Sequence, residues 1–193
     1  MKRIAAFAMA MFLVAMFASE AQAQRFGAPE SMKGKFVTGG NIGAGYSGRT
    51  LYISIAPQLG YRITKDLELG VRLGYNLNFY NDYYGYYGSY FCHYFNASVY
   101  ANYEIFSGLY AHIEDEEVCC LVRGKNLNPT PAQWYNSILV GGGYRQYFSP
   151  TGYVYYALLY DLSFDYIYGD SPYISPFIVR VGYCVGFDGK RRR

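Results

Sequence analysis

Apolar and polar residues alternate with a period of two along most of the chain. From Leu67 to Phe79 every odd position is Leu, Val, Tyr or Phe, and every even position is Glu, Gly, Arg or Asn. Successive side chains of a β-strand point to opposite faces, so this pattern predicts a strand with one apolar and one polar face. The segments 51–62 and 177–187 alternate in the same way.

The same rule predicts eight strands, and therefore an all-β protein. The first is glycine-rich, which lowers its β-propensity. The fifth is short, and its pattern allows it to continue into the charged residues that follow. The predicted strands are 36–46, 50–62, 67–79, 90–104, 108–115, 132–147, 152–164 and 173–187.

Short and long connections alternate between these strands, with the short connection 47–49 as the exception. Strands that follow one another through tight turns pair as antiparallel neighbours. The expected tight turns are 63–66, 105–107 and 148–151, and the expected long loops are 80–89, 116–131 and 165–172.

The strand pattern fits either a transmembrane β-barrel or a secreted β-sandwich or lipocalin-like barrel. Most predicted strands are longer than the usual five or six residues and long enough to cross a bilayer at a tilt. Their apolar faces carry no charged residue at mid-strand, where a basic residue facing lipid costs about 2–4 kcal/mol. These features favour an eight-stranded antiparallel up-and-down transmembrane barrel.

Aromatic residues on the apolar faces concentrate at the two strand ends. Amphipathic rings prefer the two interfaces of a membrane, although aromatic residues are also good strand formers. Those at the tight-turn end are Tyr61, Tyr103, Tyr144 and Phe187, and those at the long-loop end are Phe79, Phe91, Trp134, Phe164 and Phe177.

Composition agrees with this pattern. The chain is 52% apolar, yet its mean hydropathy is −0.05, because the polar face of each strand offsets the apolar one. The formal charge of +3 argues against nucleic-acid binding, which needs a basic face. Residues 1–23 have a charged start, an apolar stretch and an Ala21-Gln22-Ala23 cleavage site, which predict a cleaved signal peptide. The barrel then spans 24–187, followed by a basic tail, 188–193.

The segment Arg180-Val181-Gly182-Tyr183-Cys184-Val185-Gly186-Phe187 has the form polar-x-Gly-x-x-apolar-x-aromatic. It resembles the final-strand signal of small outer-membrane barrels of the OmpA and OmpX type, in the style of the Bacteroidetes outer membrane protein beta-barrel domain. The resemblance implies the outer membrane of a Gram-negative bacterium, tight turns and tail in the periplasm, and long loops outside. It also implies three partners: the lipid bilayer, lipopolysaccharide and the barrel assembly machinery.

Charged residues of the polar faces are predicted to meet inside the barrel. Counting from the tight turns places Arg72, Glu114 and Arg180 at similar mid-depth, with Asp161 somewhat above. Side chains fill the interior of an eight-stranded barrel, and buried charges need partners. We therefore expect a structural cluster in a closed lumen, with Arg72 and Arg180 flanking Glu114. A small-solute channel is the leading alternative.

The sequence offers little for catalysis. Residues 43–48 match G-x-G-x-x-G, but a strand follows them where a dinucleotide site needs a helix. His93 and His112 lack the closely spaced His-x-Ser pair of outer-membrane deacylases, which makes a lipid-modifying enzyme a third, weaker alternative. We expect no catalytic residue, cofactor or metal site. Export favours oxidation, so a disulfide from Cys92 to Cys119 or Cys120 is a hypothesis.

The segment 80–90 contains six tyrosines among Asn, Gly, Ser and Asp residues. Rigid rings among small polar residues are typical of adaptable binding surfaces. The loop either packs its rings on the barrel rim or lipopolysaccharide, or binds an extracellular ligand of unknown identity, through Tyr83, Tyr84, Tyr86 and Tyr87. The expected function is non-enzymatic, structural or in surface interaction.

Overall fold

The computed structural model describes residues 34–47, 50–81, 88–124, 131–165, 171–173 and 175–187. The predicted signal peptide, the basic tail and the tyrosines at 83, 84, 86 and 87 lie outside these ranges. Within them the chain forms eight strands: β1 (Phe36–Ser47), β2 (Thr50–Arg62), β3 (Leu67–Tyr80), β4 (Tyr90–Phe106), β5 (Leu109–Gly124), β6 (Gln133–Tyr147), β7 (Gly152–Asp161) and β8 (Phe177–Phe187).

Each strand pairs antiparallel with the next, and β1 pairs with β8 to close the barrel. The closing seam runs from Phe36 opposite Phe187 to Gly40 opposite Tyr183. Closure gives every strand two neighbours. Residues 41–47 of β1 lie beyond the seam and pair with β2. The predicted eight-stranded antiparallel up-and-down barrel is thus confirmed. No helix in the described part of the chain is long and apolar enough to span a membrane.

Three strand boundaries differ from the predicted ones by three residues or more. Strand β5 continues through the charged stretch to Gly124, as its pattern allowed, so the expected loop 116–131 is much shorter. Its continuation is possible because inward carboxylates there find partners in the lumen. Strand β7 ends at Asp161 and β8 begins at Phe177, so the connection between them is longer than expected.

The turn between β4 and β5 consists of Ser107 and Gly108, whereas the sequence predicted it at 105–107. Their φ angles are 41° and 88°, and positive φ at both central residues is typical of a type I′ hairpin turn. A Cβ on Gly108 would lie 2.4 Å from the Arg145 carbonyl oxygen. Both backbone geometry and space therefore require glycine at 108.

Hydrophobicity is distributed inside out. Ile42 is 79% exposed and Val179 is 69% exposed on the outer surface, whereas Glu114 is 1% exposed and Arg62 is fully buried in the lumen. Water-soluble proteins bury apolar side chains and expose charged ones. The alternation read from the sequence therefore places apolar side chains outside the barrel and polar ones within it.

Two carboxylates depart from this arrangement. Asp115 and Glu117 are exposed on the outer face of β5, which contradicts the prediction that no mid-strand charge lies there. The prediction failed because it ended the strand at 115. Asn136 of β6 donates its amide to Asp115 Oδ1 at 2.8 Å and to Glu117 Oε1 at 3.0 Å. This pairing reduces the cost of placing the carboxylates on an apolar surface.

Candidate functional site

A central cluster of four charged side chains crosses the lumen at mid-depth: Arg72 of β3, Glu114 and Glu116 of β5, and Arg180 of β8. Arg180 donates to Glu114 Oε2, and its Nη2 lies 3.6 Å from Glu116 Oε2. Arg72 Nη1 lies 3.7 Å from Glu114 Oε2. The structure therefore places both predicted arginines beside Glu114 and adds Glu116, which the sequence analysis had assigned to a loop.

Polar neighbours complete the coordination of Glu114. Ser98 donates its hydroxyl to Oε1 at 2.5 Å, and His112 Nε2 lies 2.9 Å from Oε2. The other ring nitrogen of His112 lies 2.6 Å from Asn102 Oδ1. A buried carboxylate with this many donors is stabilised in its charged form, which is the condition for an ion pair to persist in a lumen.

Glu116 joins the central cluster to the connection between β7 and β8. It accepts from Asn96 Nδ2 at 2.5 Å and from the Tyr173 hydroxyl. Burial, together with the nearby Glu116 carboxylate, raises the pKa of the Tyr173 phenol. Tyr173 thus remains a hydrogen-bond donor and holds its connection across the barrel interior.

Asp161, predicted just above this cluster, is buried on β7 but is not part of the ion-pair network. Its Oδ2 accepts from the hydroxyls of Ser137 at 3.1 Å and Ser171 at 3.2 Å. The Ser163 backbone N–H donates to Oδ1 at 2.9 Å. These contacts suit an Asp that ends a strand and orders the connection after it.

A second group, the turn-side cluster, lies near the tight turns and consists of Arg62, Glu68, Glu104 and Arg145. Glu68 Oε2 is 3.3 Å from Arg62 Nε and 3.0 Å from Arg145 Nη2. Glu104 Oε2 is 3.6 Å from Arg62 Nη1 and 3.5 Å from Arg145 Nη1.

Aromatic rings enclose the turn-side cluster. The Arg145 guanidinium carbon lies 4.6 Å from the ring centroid of Tyr110 and 5.0 Å from that of Tyr153. Tyr147 donates to Glu104 at 2.8 Å and accepts from Arg62 at 2.9 Å. No motif in the sequence marks this cluster. Alternation does assign its members to the polar face, but a charge at a strand end fits a solvated rim equally well.

The two clusters divide the lumen. The space between them is a cavity of about 10 Å³, room for about one water molecule. Beyond the central cluster, at the long-loop end, a cavity of about 540 Å³ opens. Within the described residues, the barrel interior is therefore filled over its turn-side half and opens into a cup at the other end.

In the described part of the lumen, the Ser98 hydroxyl donates to Glu114 and not to His112. The cavity that His112 lines has room for about one water molecule. His93 lies on the outer face, where its Nδ1 is 2.8 Å from the Tyr75 hydroxyl. Among the described residues, no group of three or more His, Cys, Asp or Glu side chains is placed to hold a metal ion.

All four cysteines are free, so the structure lacks the bridge hypothesised from Cys92. Cys119 has the outer-face parity of β5, whereas Cys92 is buried on the lumen side. Cys120 does share the lumen face, but it pairs with Tyr94 and is only diagonal to Cys92. Diagonal positions lie about 7–8 Å apart, more than most disulfides span.

Comparison with known proteins gives a structural likeness and no match in sequence. No family model and no curated protein matches this sequence. The barrel is similar to the N-terminal β-barrel domain of Pseudomonas aeruginosa OprF, with a TM-score of 0.48 and 15% sequence identity. That alignment covers 80% of this chain and 98% of the OprF domain.

Proposed function

We propose that this protein is an integral barrel of the outer membrane of a Gram-negative bacterium, with a closed lumen and no enzymatic activity. The observation that carries the proposal is the inside-out distribution of side chains. Apolar residues cover the outer surface of a closed barrel, while the charged residues of the central and turn-side clusters are buried within it. Lipid stabilises such an exterior, and closure satisfies the backbone groups that lipid cannot.

The proposed role is structural or in surface interaction, through the end of the barrel that carries the long connections. The tyrosine-rich segment 80–90 remains the proposed contact with lipopolysaccharide or an extracellular ligand, through Tyr83, Tyr84, Tyr86 and Tyr87. The C-terminal end of β8, which finishes at Phe187, is the proposed signal for the barrel assembly machinery. The proposed fold type is that of the small outer-membrane barrels of the OmpA and OmpX type.

The two ion-pair clusters favour a closed lumen rather than an open channel. Opening a path would separate buried charges from their partners, which costs about 3–5 kcal/mol for one broken pair. Four such acid–base contacts cross the turn-side cluster alone. The turn-side half of the lumen is therefore expected to stay closed to ions and solutes.

Two measurements on purified, refolded protein test the proposal. A folded membrane barrel resists detergent until it is boiled, so its gel mobility should differ between unboiled and boiled samples. An unchanged band would favour a soluble β-protein. In planar lipid bilayers, the protein should give no sustained conductance steps. Stepwise conductance that scales with protein insertion would replace the closed lumen with a channel.

A further inference from the structure

The seam that closes the barrel covers only part of its two strands. Strands β1 and β8 pair over five residues, as far as Gly40 opposite Tyr183, although each strand continues beyond that point. Gly40 has a φ of 142°, a backbone conformation that residues with a Cβ rarely adopt. The stretch in which 41–47 and 177–182 lie without pairing to each other, here called the lateral gap, begins at this glycine.

Side chains beside the lateral gap are among the most exposed of the outer face. Ile42 and Tyr46 of β1 are 79% and 72% exposed, and Val179 of β8 is 69% exposed. Leu59 of β2 and Leu69 of β3, whose strands are paired on both sides, are each 44% exposed. The side chains beside the gap therefore lack the cross-strand neighbours that cover the rest of the wall.

The lateral gap connects to the cup at the long-loop end of the lumen, here called the vestibule. Its volume of about 540 Å³ falls within the roughly 300–1,000 Å³ of ligand pockets. The described strand residues that line it have lumen-face parity, except Phe177 and Val179, which have outer-face parity on β8. Outer-face residues line a lumen cavity where the wall beside their strand is open. The vestibule therefore reaches the outer surface through the lateral gap.

The backbone along the gap limits what can fill it. Hydrocarbon cannot satisfy N–H and C=O groups, so unpaired backbone at membrane depth is tolerated where it lines a polar cavity. The segment 41–47 pairs with β2 on one side and meets the vestibule at Asn41. Its outer flank, with Ile42 facing Val179 across the gap, is apolar. A polar interior that leads to an apolar surface suits an amphiphile with its headgroup inside and its chain outside.

The charged side chains that line the vestibule, within the described part of the chain, are both basic. Arg72 and Arg180 form part of its floor, and Arg180 is 9% exposed. Glu114 and Glu116, the carboxylates that pair with Arg180, are 1% and 0% exposed and do not line the cavity. A headgroup in the vestibule is therefore closer to the arginines than to the carboxylates. Because opposite charges attract strongly away from bulk water, this order favours an acidic headgroup.

Amide donors lie on the wall of the vestibule. Asn76 and Asn78 of β3 line the cavity and are half-buried, so a ligand can reach them. Each amide offers two N–H donors, and hydrogen bonds to a charged acceptor are stronger than those between neutral groups. Tyr52 of β2 lies between these donors and the gap, with its ring against β1: a Cβ on Gly45 would be 2.4 Å from Tyr52 Cε1.

We propose that the vestibule binds the headgroup of a single-chain amphiphile with an acidic head, of the fatty-acid class, whose alkyl chain leaves through the lateral gap into the outer leaflet. Asn76 and Asn78 donate to the headgroup, Arg180 attracts its charge, and the apolar flanks of the gap contact the chain. The inference rests on the proposed membrane barrel, because the gap meets hydrocarbon only if the outer surface faces lipid.

A tryptophan beside the gap tests this site in the full-length protein, refolded into phospholipid vesicles. Tyr52→Trp reports from the vestibule once Trp134→Phe has removed the native indole. Stearate brominated on its chain should quench this indole saturably at about pH 9, where the acid is ionised, and unbrominated stearate should reverse the quenching. The equally brominated alcohol should bind about tenfold more weakly. Wild-type Trp134 is the outer-face control, where quenching should neither saturate nor depend on the headgroup.

A charge placed on the vestibule wall tests the headgroup assignment. Asn76→Asp adds a carboxylate beside the proposed headgroup and should weaken stearate binding about tenfold or more, while binding of the alcohol changes little. Asn76→Leu has a similar size without a charge and should keep the preference for stearate over the alcohol. Equal binding of stearate and the alcohol to the protein without a substitution at 76 would overturn the acidic headgroup.

Closing the gap tests the path of the chain. Ala44 and Val179 would oppose each other if the register of the seam continued, so Ala44→Cys and Val179→Cys can be joined by a bismaleimide, with the four native cysteines replaced by serine. In the Tyr52→Trp, Trp134→Phe protein, this link should abolish saturable quenching, whereas capping the same two cysteines with N-ethylmaleimide should preserve it. Saturable quenching that survives the link would overturn the lateral opening.

The remaining outcomes separate this inference from the proposed function. Equal, unsaturable quenching of the Tyr52→Trp indole by brominated phospholipid and by brominated stearate would show that it contacts bulk lipid, which would overturn the headgroup site. A heat-modifiable, non-conducting barrel without saturable quenching refutes only this inference. A protein that shows no heat modifiability refutes the membrane barrel itself.

Discussion

Glu114 is the residue on which the interior of the barrel converges. One carboxylate accepts from Arg180 and Ser98, contacts His112, and lies within 3.7 Å of Arg72. Removing the charge of a buried carboxylate leaves its arginine partners uncompensated, which costs far more than losing an exposed ion pair. The stability of the barrel should therefore depend on this side chain more than on any outer-face charge.

Glu114→Gln tests this dependence. The variant keeps the shape of the side chain but removes the negative charge between Arg72 and Arg180, so we expect a loss of about 3 kcal/mol in unfolding free energy. Urea unfolding in lipid vesicles, followed by Trp134 fluorescence, measures it. Glu117→Gln is the matched control on the outer face and should change stability by no more than about 1 kcal/mol. Equal effects of the two variants would contradict the role assigned to Glu114.

At this scale the sequence could predict only part of the site. Strand parity and distance from the tight turns placed Arg72, Glu114 and Arg180 together, because depth in a barrel follows from position along a strand. Neither parity nor depth reveals which way a long side chain turns. Asp161 has a suitable depth, yet it bonds to serine hydroxyls instead of an arginine.

Strand β5 shows how alternation controls an element that is charged on both faces. Glu114 and Glu116 point into the lumen, while Asp115 and Glu117 point outward between apolar neighbours such as Val99 and Ile138. Adjacent glutamates in one strand thus occupy opposite environments, one ion-paired and one facing the apolar exterior. The same substitution at 116 and 117 should have opposite effects.

Replacing each of these glutamates by leucine tests that contrast. Glu117→Leu should raise the unfolding free energy by about 1 kcal/mol, because it removes a carboxylate from the outer face. Glu116→Leu should lower it by about 3 kcal/mol, because Arg180, Asn96 and Tyr173 lose their acceptor. Denaturant midpoints in vesicles provide the measurement. Destabilisation at both positions, by similar amounts, would show that the outer face of β5 does not contact lipid.

The close approach of β6 to β7 at a glycine gives a second prediction at the scale of the strand. A Cβ on Gly143 would lie 2.0 Å from the Tyr156 carbonyl oxygen of β7, whereas a Cβ on Gly43 of β1 would find its nearest neighbour, Ser54 Cβ, at 3.7 Å. Gly143→Ala should therefore cost about 2 kcal/mol through overpacking, and Gly43→Ala should be close to neutral. Thermal unfolding of the two variants in the same detergent compares them. A tolerated alanine at 143 would contradict the close approach of β6 and β7.

Period-two alternation predicted the strands well, because it is local and strong over 10 or more residues. At β5 it allowed the strand to continue past 115 but could not decide this, because a run of carboxylates also resembles a solvated loop. The partners that make this strand stable, Arg180 and Tyr173, come from distant parts of the chain. The ends of β7 and β8 were equally hard to predict. The residues just before and just after Asp161 and Phe177 have similar polarity, so the sequence does not mark where each strand stops or starts.

The described barrel combines a filled, ion-paired half with an open cup at the long-loop end, inside a wall whose outer surface is mainly apolar. Composition alone does not reveal this arrangement. The hydropathies of the apolar and polar positions of each strand cancel, which gives a mean hydropathy of −0.05. Topology could be predicted from the order of strands and connections. The division of the lumen into two clusters and a cavity could not, because it depends on side-chain contacts between strands distant in sequence.

The central claim is that the outer surface of the barrel faces lipid, and Trp134 tests it most directly. Trp134 is the single tryptophan of the chain and is 69% exposed on the outer face of β6. In vesicles its emission should shift to shorter wavelength and be quenched by lipids brominated on their acyl chains, but little by aqueous iodide. Emission typical of an indole in water, quenched by iodide and not by brominated lipid, would contradict the membrane barrel.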